Sequence, residues 1–251
     1  MSLSKTAIEY ATHCWNPLVG CSNEQCPCRA DCWARAYLRR FNHGCADCRE
    51  FRPHTHHARM RIPDSKTRRI IVANFLGDWL CGHEELSRLS LLCEMARHPG
   101  DIFLTLTKRP ELIEDNMQTV NMPQVWLGAS ITKGWELRAA ECLWSTVSPL
   151  KGWHRWLSCE PLMEDIGGVL NYISDLPYCN LPDWIVVGAL TRNGRTVPPE
   201  KGGTRLEWVL RTATWCYENK VPCFVKRNVL GPDTSGWPRQ LPWAAVERRK
   251  E

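Results

Sequence analysis

The chain has 251 residues, 43% hydrophobic and 24% charged, with a net charge of +5. That balance supports one large or two small folded domains and excludes a wholly disordered or fibrous chain. No apolar run approaches the roughly 20 residues of a membrane helix, and the opening MSLSKTAIEYATHCWN lacks a basic start followed by an apolar stretch, so the expectation is no secretion signal and a reducing, cytoplasmic location.

In chain order, an extended stretch is predicted at His13–Gly20, a loop carries Cys21, Cys26, Cys28 and Cys32, and WARAYLRRF reads as a helix. A basic, Cys/His-rich insertion follows at about 43–69. Strands are then predicted at Ile70–Asn74, Asp101–Leu106, Val125–Ala129, His154–Ser158, Trp184–Gly188 and Pro222–Lys226. Helices alternate with them near 84–97, 110–117, 134–146, 164–173 and 204–219, the last with apolar positions Leu206, Val209, Leu210 and Ala213. Strand then helix, repeated about six times, predicts an α/β fold with a parallel sheet of about six to seven strands, doubly wound or closed into a full or partial (β/α) barrel. Without an internal repeat or a linker, 1–251 reads as one domain carrying the insertion.

In a barrel, function collects at the C-terminal ends of the strands. Those ends bear Gly77 and Asp78, then Thr107, Lys108 and Arg109, then Ser130, Glu160, Gly188, and Lys226 with Asn228. Ordinary loop polarity accounts for some of these. Lys108-Arg109-Pro110 and Glu160-Pro161 are sharper, because a proline fixes the turn directly after the charge.

Seven of the 14 cysteines fall within the first 48 residues, and the others (Cys81, Cys93, Cys142, Cys159, Cys179, Cys216, Cys223) are scattered singly in mostly apolar surroundings, as core thiols are. Thiolates as close as those in the front group suit zinc or an iron–sulfur cluster. Three ligands would leave one iron of a [4Fe–4S] cluster open to a substrate or cofactor, whereas zinc in a structural site wants four. Charge concentrates nearby: residues 29–69 hold eleven basic and four acidic side chains, net +7, so the remainder sums to −2. Such a stretch is either a solvated helix face or a phosphate-binding surface.

The segment WNPLVGC…C…CWARAYLRRF resembles the opening of a phage-associated three-cysteine-motif family, itself similar to radical S-adenosylmethionine (SAM) enzymes. The resemblance continues through Cys45-x-x-Cys48, Phe51-x-Pro53 with His56 and Arg59, Gly77-Asp78-Trp79, Leu106 to Pro110, Val125 to Ser130, Leu157 to Leu162, Asp183 to Gly188 and Val221 to Lys226, covering about residues 8–230 in order. It implies a partial (β/α) barrel with a [4Fe–4S] cluster and SAM, fed by an external electron donor. Radical SAM enzymes commonly space their ligands C-x3-C-x2-C. Here Cys21, Cys28 and Cys32 give C-x6-C-x3-C, and Cys21, Cys26 and Cys32 give C-x4-C-x5-C. The middle ligand is open between the two; Cys28 is favoured by its short second spacing. That choice leaves Cys26 beside Cys45 and Cys48, followed by His54, His56 and His57, for a second, structural metal site such as zinc, with Cys26, Cys45, Cys48 and His56 as the leading ligand set; the bland reading is a reduced CxxC beside surface histidines.

Under this resemblance Lys108 and Arg109 would meet the SAM carboxylate or a substrate anion. Asp78 and Glu160 would accept from its amino group or a ribose hydroxyl, with Ser130 and Lys226 as weaker candidates. Structural ion pairs in the barrel mouth are the competing reading. The phage association and the basic segment point to DNA, with Arg39, Arg40, Arg59, Arg61, Arg68 and Arg69 on phosphates and a modified thymine, flipped out of the duplex, as substrate for isomerisation. The host cytoplasm is the setting this implies. A repair lyase, a peptide- or small-molecule-modifying enzyme, and a non-catalytic zinc-stabilised nucleic-acid-binding protein remain as alternatives. Most of the 13 tryptophans lie in or beside apolar strands and are expected in the core.

Overall fold

A computed structural model describes residues 3–24, 26, 32–41, 44–112, 121–136, 152–175, 181–192, 194–231 and 233–243. The chain divides into two compact units, Met1–Leu127 with Leu150–Trp153, and Gly128–Pro149 with His154–Glu251. The first contains β1 (Leu3–Lys5), β2 (His13–Trp15), β3 (Leu18–Val19), α1 (Trp33–Arg40), α2 (Ala46–Glu50), β4 (His54–Thr55), β5 (Ile70–Ala73), α3 (Glu85–Ala96) and β6 (Ile102–Thr107). Strand β7 (Val125–Ser130) is divided between the units. The second continues with β8 (His154–Cys159), α4 (Gly167–Asp175), β9 (Trp184–Val187), β10 (Thr191–Arg192), β11 (Arg195–Thr196), α5 (Leu206–Glu218), β12 (Cys223–Val225) and α6 (Arg227–Leu230).

The protein is α/β, with a mostly parallel eight-stranded central sheet in the order β1-β2-β5-β6-β7-β8-β9-β12. In the first unit β1 runs antiparallel to β2, while β2 pairs parallel with β5 and β5 with β6. In the second, β8 pairs parallel with β9 and β9 with β12. Ile71, Val72 and Ala73 of β5, and all of Trp184–Val187 in β9, are completely buried. Strands covered on both faces read as continuous apolar runs, which is why each predicted strand from residue 70 onward falls within a residue or two of its place. No helix among the described residues is long and apolar enough to cross a membrane.

Three expectations are adjusted. The stretch His13–Gly20 is not one strand: it breaks at Asn16-Pro17, where proline has no N–H to donate, and β3 leaves the main sheet to pair antiparallel with β4. Helix α5 buries Val209, Thr212, Trp215 and Cys216, leaving Leu206 and Leu210 about half exposed. The helices expected at 110–117 and 134–146 begin as 3-10 turns at Pro110–Leu112 and Gly134–Glu136, and the remainder of each lies outside the described residues.

Tryptophans build both cores. Trp15 is fully buried with its ring 6.0 Å from Phe103, and its indole N–H donates to the Arg59 carbonyl at 2.8 Å. In the second unit Trp184 meets Trp156 at 5.4 Å, Trp243 at 4.9 Å and Phe224 at 6.3 Å. Cys81, Cys159, Cys216 and Cys223 are buried as expected of core thiols, whereas Cys93 is exposed; Cys142 and Cys179 lie outside the described residues.

Candidate metal centre and cysteine loop

Four ligand atoms converge in the insertion. One from each of Cys45, Cys48, His54 and His56 lies within 4.8 Å of all the others. Cys45 precedes α2 and Cys48 sits on it, so the CxxC spacing puts both sulfurs at one end of a short helix. The two histidines come from β4 and the residue after it, and positions i and i+2 of extended chain share a face. The β3–β4 pairing, with Val19 opposite His54, and a bond from His56 N–H to the Pro17 carbonyl at 2.7 Å hold that face over the helix.

The geometry suits one tetrahedral ion. Zinc with Zn–S near 2.3 Å and Zn–N near 2.05 Å spaces sulfur from nitrogen by about 3.5 Å and nitrogen from nitrogen by about 3.3 Å. Here His54 Nε2 lies 3.5 Å from Cys45 Sγ and 3.4 Å from Cys48 Sγ, His56 Nε2 lies 3.2 Å from Cys48 Sγ, and the two Nε2 atoms are 3.1 Å apart. His54 Nδ1 donates to the Arg52 carbonyl at 2.8 Å, which leaves Nε2 unprotonated and facing the sulfurs. Burial, the nearby Arg59 charge and His54 hold His56 down at about 4, so its ring is neutral, as a ligand must be. Burial, with Cys45 as its hydrogen-bond partner, pushes the Cys48 thiol up to about 11, so without an ion it keeps its proton. The group could hold a metal such as zinc. Cys26 is not part of it; His54 takes the place that spacing alone assigned to Cys26.

The cysteine loop begins where two backbones touch. Gly20, at φ +90°, forms a parallel bridge with Gly77 beyond β5, and Gly20 N–H donates to the Leu76 carbonyl at 3.1 Å while Asp78 N–H donates to the Gly20 carbonyl at 3.3 Å. A Cβ on Gly77 would stand 2.1 Å from the Gly20 carbonyl oxygen. Gly77→Ala is therefore expected to cost at least about 1–3 kcal/mol, the range for overpacking, read as a lowered urea midpoint.

This bridge sets Cys21 beside Cys81. The Cys81 thiol donates to the Cys21 sulfur, which lowers the Cys21 pKa despite partial burial, and the Asn23 N–H adds a contact at 3.4 Å. Cys81 is pushed up correspondingly. Cys26 is near enough for its charge to oppose ionisation of Cys21. Cys32 precedes the first turn of α1, and both Cys21 and Cys32 pack on a small apolar cluster of Val19, Ala34, Leu38, Cys48 and Phe51, as does Cys45. Cys28 lies outside the described residues.

The strand-end residues are more committed than their positions suggested. Asp78 is buried, and its carboxylate accepts from Thr107 Oγ1 at 2.9 and 3.1 Å, Lys108 N–H at 2.8 Å and Leu80 N–H at 3.2 Å. Burial outweighs these donors and raises its pKa. Asp78 thus ties the loop after β5 to the turn after β6, and its ligand-facing capacity is largely used. Arg109 pairs with Glu111, and the Asp78 charge also bears on it. In the second unit Glu160, joined to Pro161 by a cis peptide bond, accepts from Lys226 Nζ at 2.7 Å across Gly188, and Ser130 is buried at the end of β7.

The arginines divide. Arg39 and Arg40 are exposed on α1, together with a ridge of Trp33, Tyr37 and Phe41 at a spacing of four; Trp33 is 60% exposed, Tyr37 46% and Phe41 42%. The tryptophan expectation did not anticipate that ridge, although WARAYLRRF carries its i, i+4, i+8 signal. Arg61 is exposed but donates to buried Glu94 at 2.9 Å, Arg68 donates to the Gly100 carbonyl at 3.2 Å, and Arg59 is half-buried. Arg69 is a correction: it is buried, with Nε 3.1 and 3.0 Å from the Asp101 carboxylate and Nη1 2.7 Å from the Pro63 carbonyl, so it cannot contact phosphate.

Comparisons with curated proteins and with solved structures found no match. The family model for DUF5131, described as a protein of unknown function, matches residues 5–232, and the chain belongs to that family.

Proposed function

We propose that the protein is a radical SAM enzyme acting on nucleic acid, with Cys21, Cys32 and one of Cys26 or Cys28 holding a [4Fe–4S] cluster. The observation that carries this reading is the packing of Cys21 and Cys32 on one small apolar cluster beyond β2, with the Cys21 pKa lowered by its hydrogen bond from Cys81. Soft, ionised sulfur is the donor that iron–sulfur clusters take. Apart from antiparallel β1, the paired strands of each unit run parallel and follow chain order among the described residues, which is compatible with a partial (β/α) barrel. When bound, cluster and SAM supply a 5′-deoxyadenosyl radical that removes a hydrogen atom from the substrate. Lys108, directly after β6, is the strand-end side chain we assign to a carboxylate or phosphate.

Nucleic acid is the favoured substrate class because α1, directly after Cys32, presents Arg39 and Arg40 beside exposed Trp33, Tyr37 and Phe41. Cations bind phosphates and aromatic faces stack unpaired bases, at about 1–3 kcal/mol per stacked base. A modified thymine in phage DNA, rearranged in an extruded state, is the specific substrate we infer. The Cys/His group favours one second reading, a zinc-stabilised nucleic-acid-binding protein without catalysis.

Anaerobic reconstitution with iron and sulfide decides between them. About four iron per chain, with 5′-deoxyadenosine released on adding SAM and reductant, is the expected result; no iron uptake together with tight DNA binding would leave the second reading. Incubation with modified phage DNA and mass analysis of its nucleosides then tests the reaction, since isomerisation shifts retention without changing mass. DNA affinity is expected to fall steeply with salt, and absence of binding at low salt would turn the substrate to a peptide or small molecule.

A further inference from the structure

We propose that Cys45, Cys48, His54 and His56 hold one resident zinc ion, separate from any iron site, and that this ion braces the wall on which Cys21 and Cys32 rest. The zinc assignment stands independently of the radical SAM reading; only its consequence for iron uptake rests on that reading.

Single-ion geometry argues for zinc over a two-iron centre. In a His2Cys2 iron–sulfur centre the two histidines bind one iron and the two cysteines the other, which separates nitrogen from sulfur ligands. Here the donors interleave: His54 Nε2 is 3.5 and 3.4 Å from the two sulfurs and 3.1 Å from His56 Nε2. Two sulfur and two imidazole donors at distances that fit one tetrahedral ion suit zinc. Thiol ligands bind as thiolates, so binding releases protons, with no change of oxidation state.

The bracing role follows from where the ligands are attached. Cys48 is 1% exposed and belongs to the apolar cluster of Val19, Ala34, Leu38 and Phe51, against which Cys21, Cys32 and Cys45 pack. Five residues of α2, two of β3 and two of β4 are too short to be stable alone, so their mutual positions depend on what crosslinks them. An ion joining α2 to β4 closes the insertion over β3, and β3 leads directly through Gly20 into Cys21. Zinc would thereby hold the first cluster ligand and the start of α1 on a common support.

The test uses the full chain purified without added metal. About one zinc per chain is expected, with cobalt(II) exchange giving the intense visible bands of a tetrahedral thiolate site. Cys48→Ser and His56→Ala are expected to lose the zinc, whereas His56→Cys, which keeps a soft fourth ligand and controls for general misfolding, is expected to retain it. Cys21→Ala and Cys32→Ala are expected to keep full zinc, and chelation is expected to lower Tm and subsequent iron uptake. Zinc absent from the wild-type chain, or retained in both Cys48→Ser and His56→Ala, overturns the site. Zinc present but removable with no change in iron uptake by an otherwise iron-binding protein overturns the bracing role alone; failure of all iron binding with zinc intact overturns the radical SAM reading instead.

Discussion

Cys32→Ala and Cys21→Ala are expected to abolish iron retention and SAM cleavage, each by more than the roughly 100-fold that loss of a mere outer-shell partner costs. Cys21 is the sulfur whose ionisation Cys81 supports, and Cys32 stands at the N-cap of α1 on the same apolar cluster. The Cys26→Ala and Cys28→Ala variants, made in parallel, divide the remaining assignment: one is expected to lose the cluster and the other to keep it. Iron content after anaerobic reconstitution and 5′-deoxyadenosine release are the measurements. Equal iron in all four variants would remove the cluster from this loop.

The second large effect is on stability. Arg69→Ala is expected to lower the unfolding free energy by about 3–5 kcal/mol, because it leaves Asp101 charged, buried and unpaired. Asp101 is 5% exposed and accepts from the Arg69 backbone N–H at 2.9 Å as well as from its guanidinium, so the pair locks the entry to β5 onto the entry to β6. Urea unfolding of Arg69→Ala beside Arg39→Ala and Arg40→Ala checks it. The two α1 variants are expected to stay within about 0.5 kcal/mol of the parent, as exposed substitutions do. They are also expected to weaken DNA binding uniformly across sequences and reduce its salt slope by about 1 each. An Arg69→Ala protein of undiminished stability with weakened DNA binding would restore Arg69 to the phosphate surface.

These two results mark where reading along the chain succeeds and stops. The strands from Ile70 to Val225 were legible because a parallel strand buried on both faces leaves an unbroken apolar run, a local signal that needs no partner. The cysteine grouping was equally visible, as was the strand-end position of Asp78, Arg109 and Glu160. What those residues do was not. Asp78 closes on Thr107 and Lys108, 29 and 30 residues away, and Glu160 on Lys226, 66 residues away. A run of basic residues likewise gives no indication that Arg69 turns inward to Asp101 while Arg39 and Arg40 face out. The metal centre shows the division most clearly. Composition and spacing by themselves determined that this protein has an α/β core with a thiol- and histidine-rich insertion. Only the tertiary structure decided that His54, not Cys26, joins Cys45, Cys48 and His56, because a ligand shell is set by which atoms come within a few ångströms, and that depends on the break at Pro17 that lets β3 pair with β4.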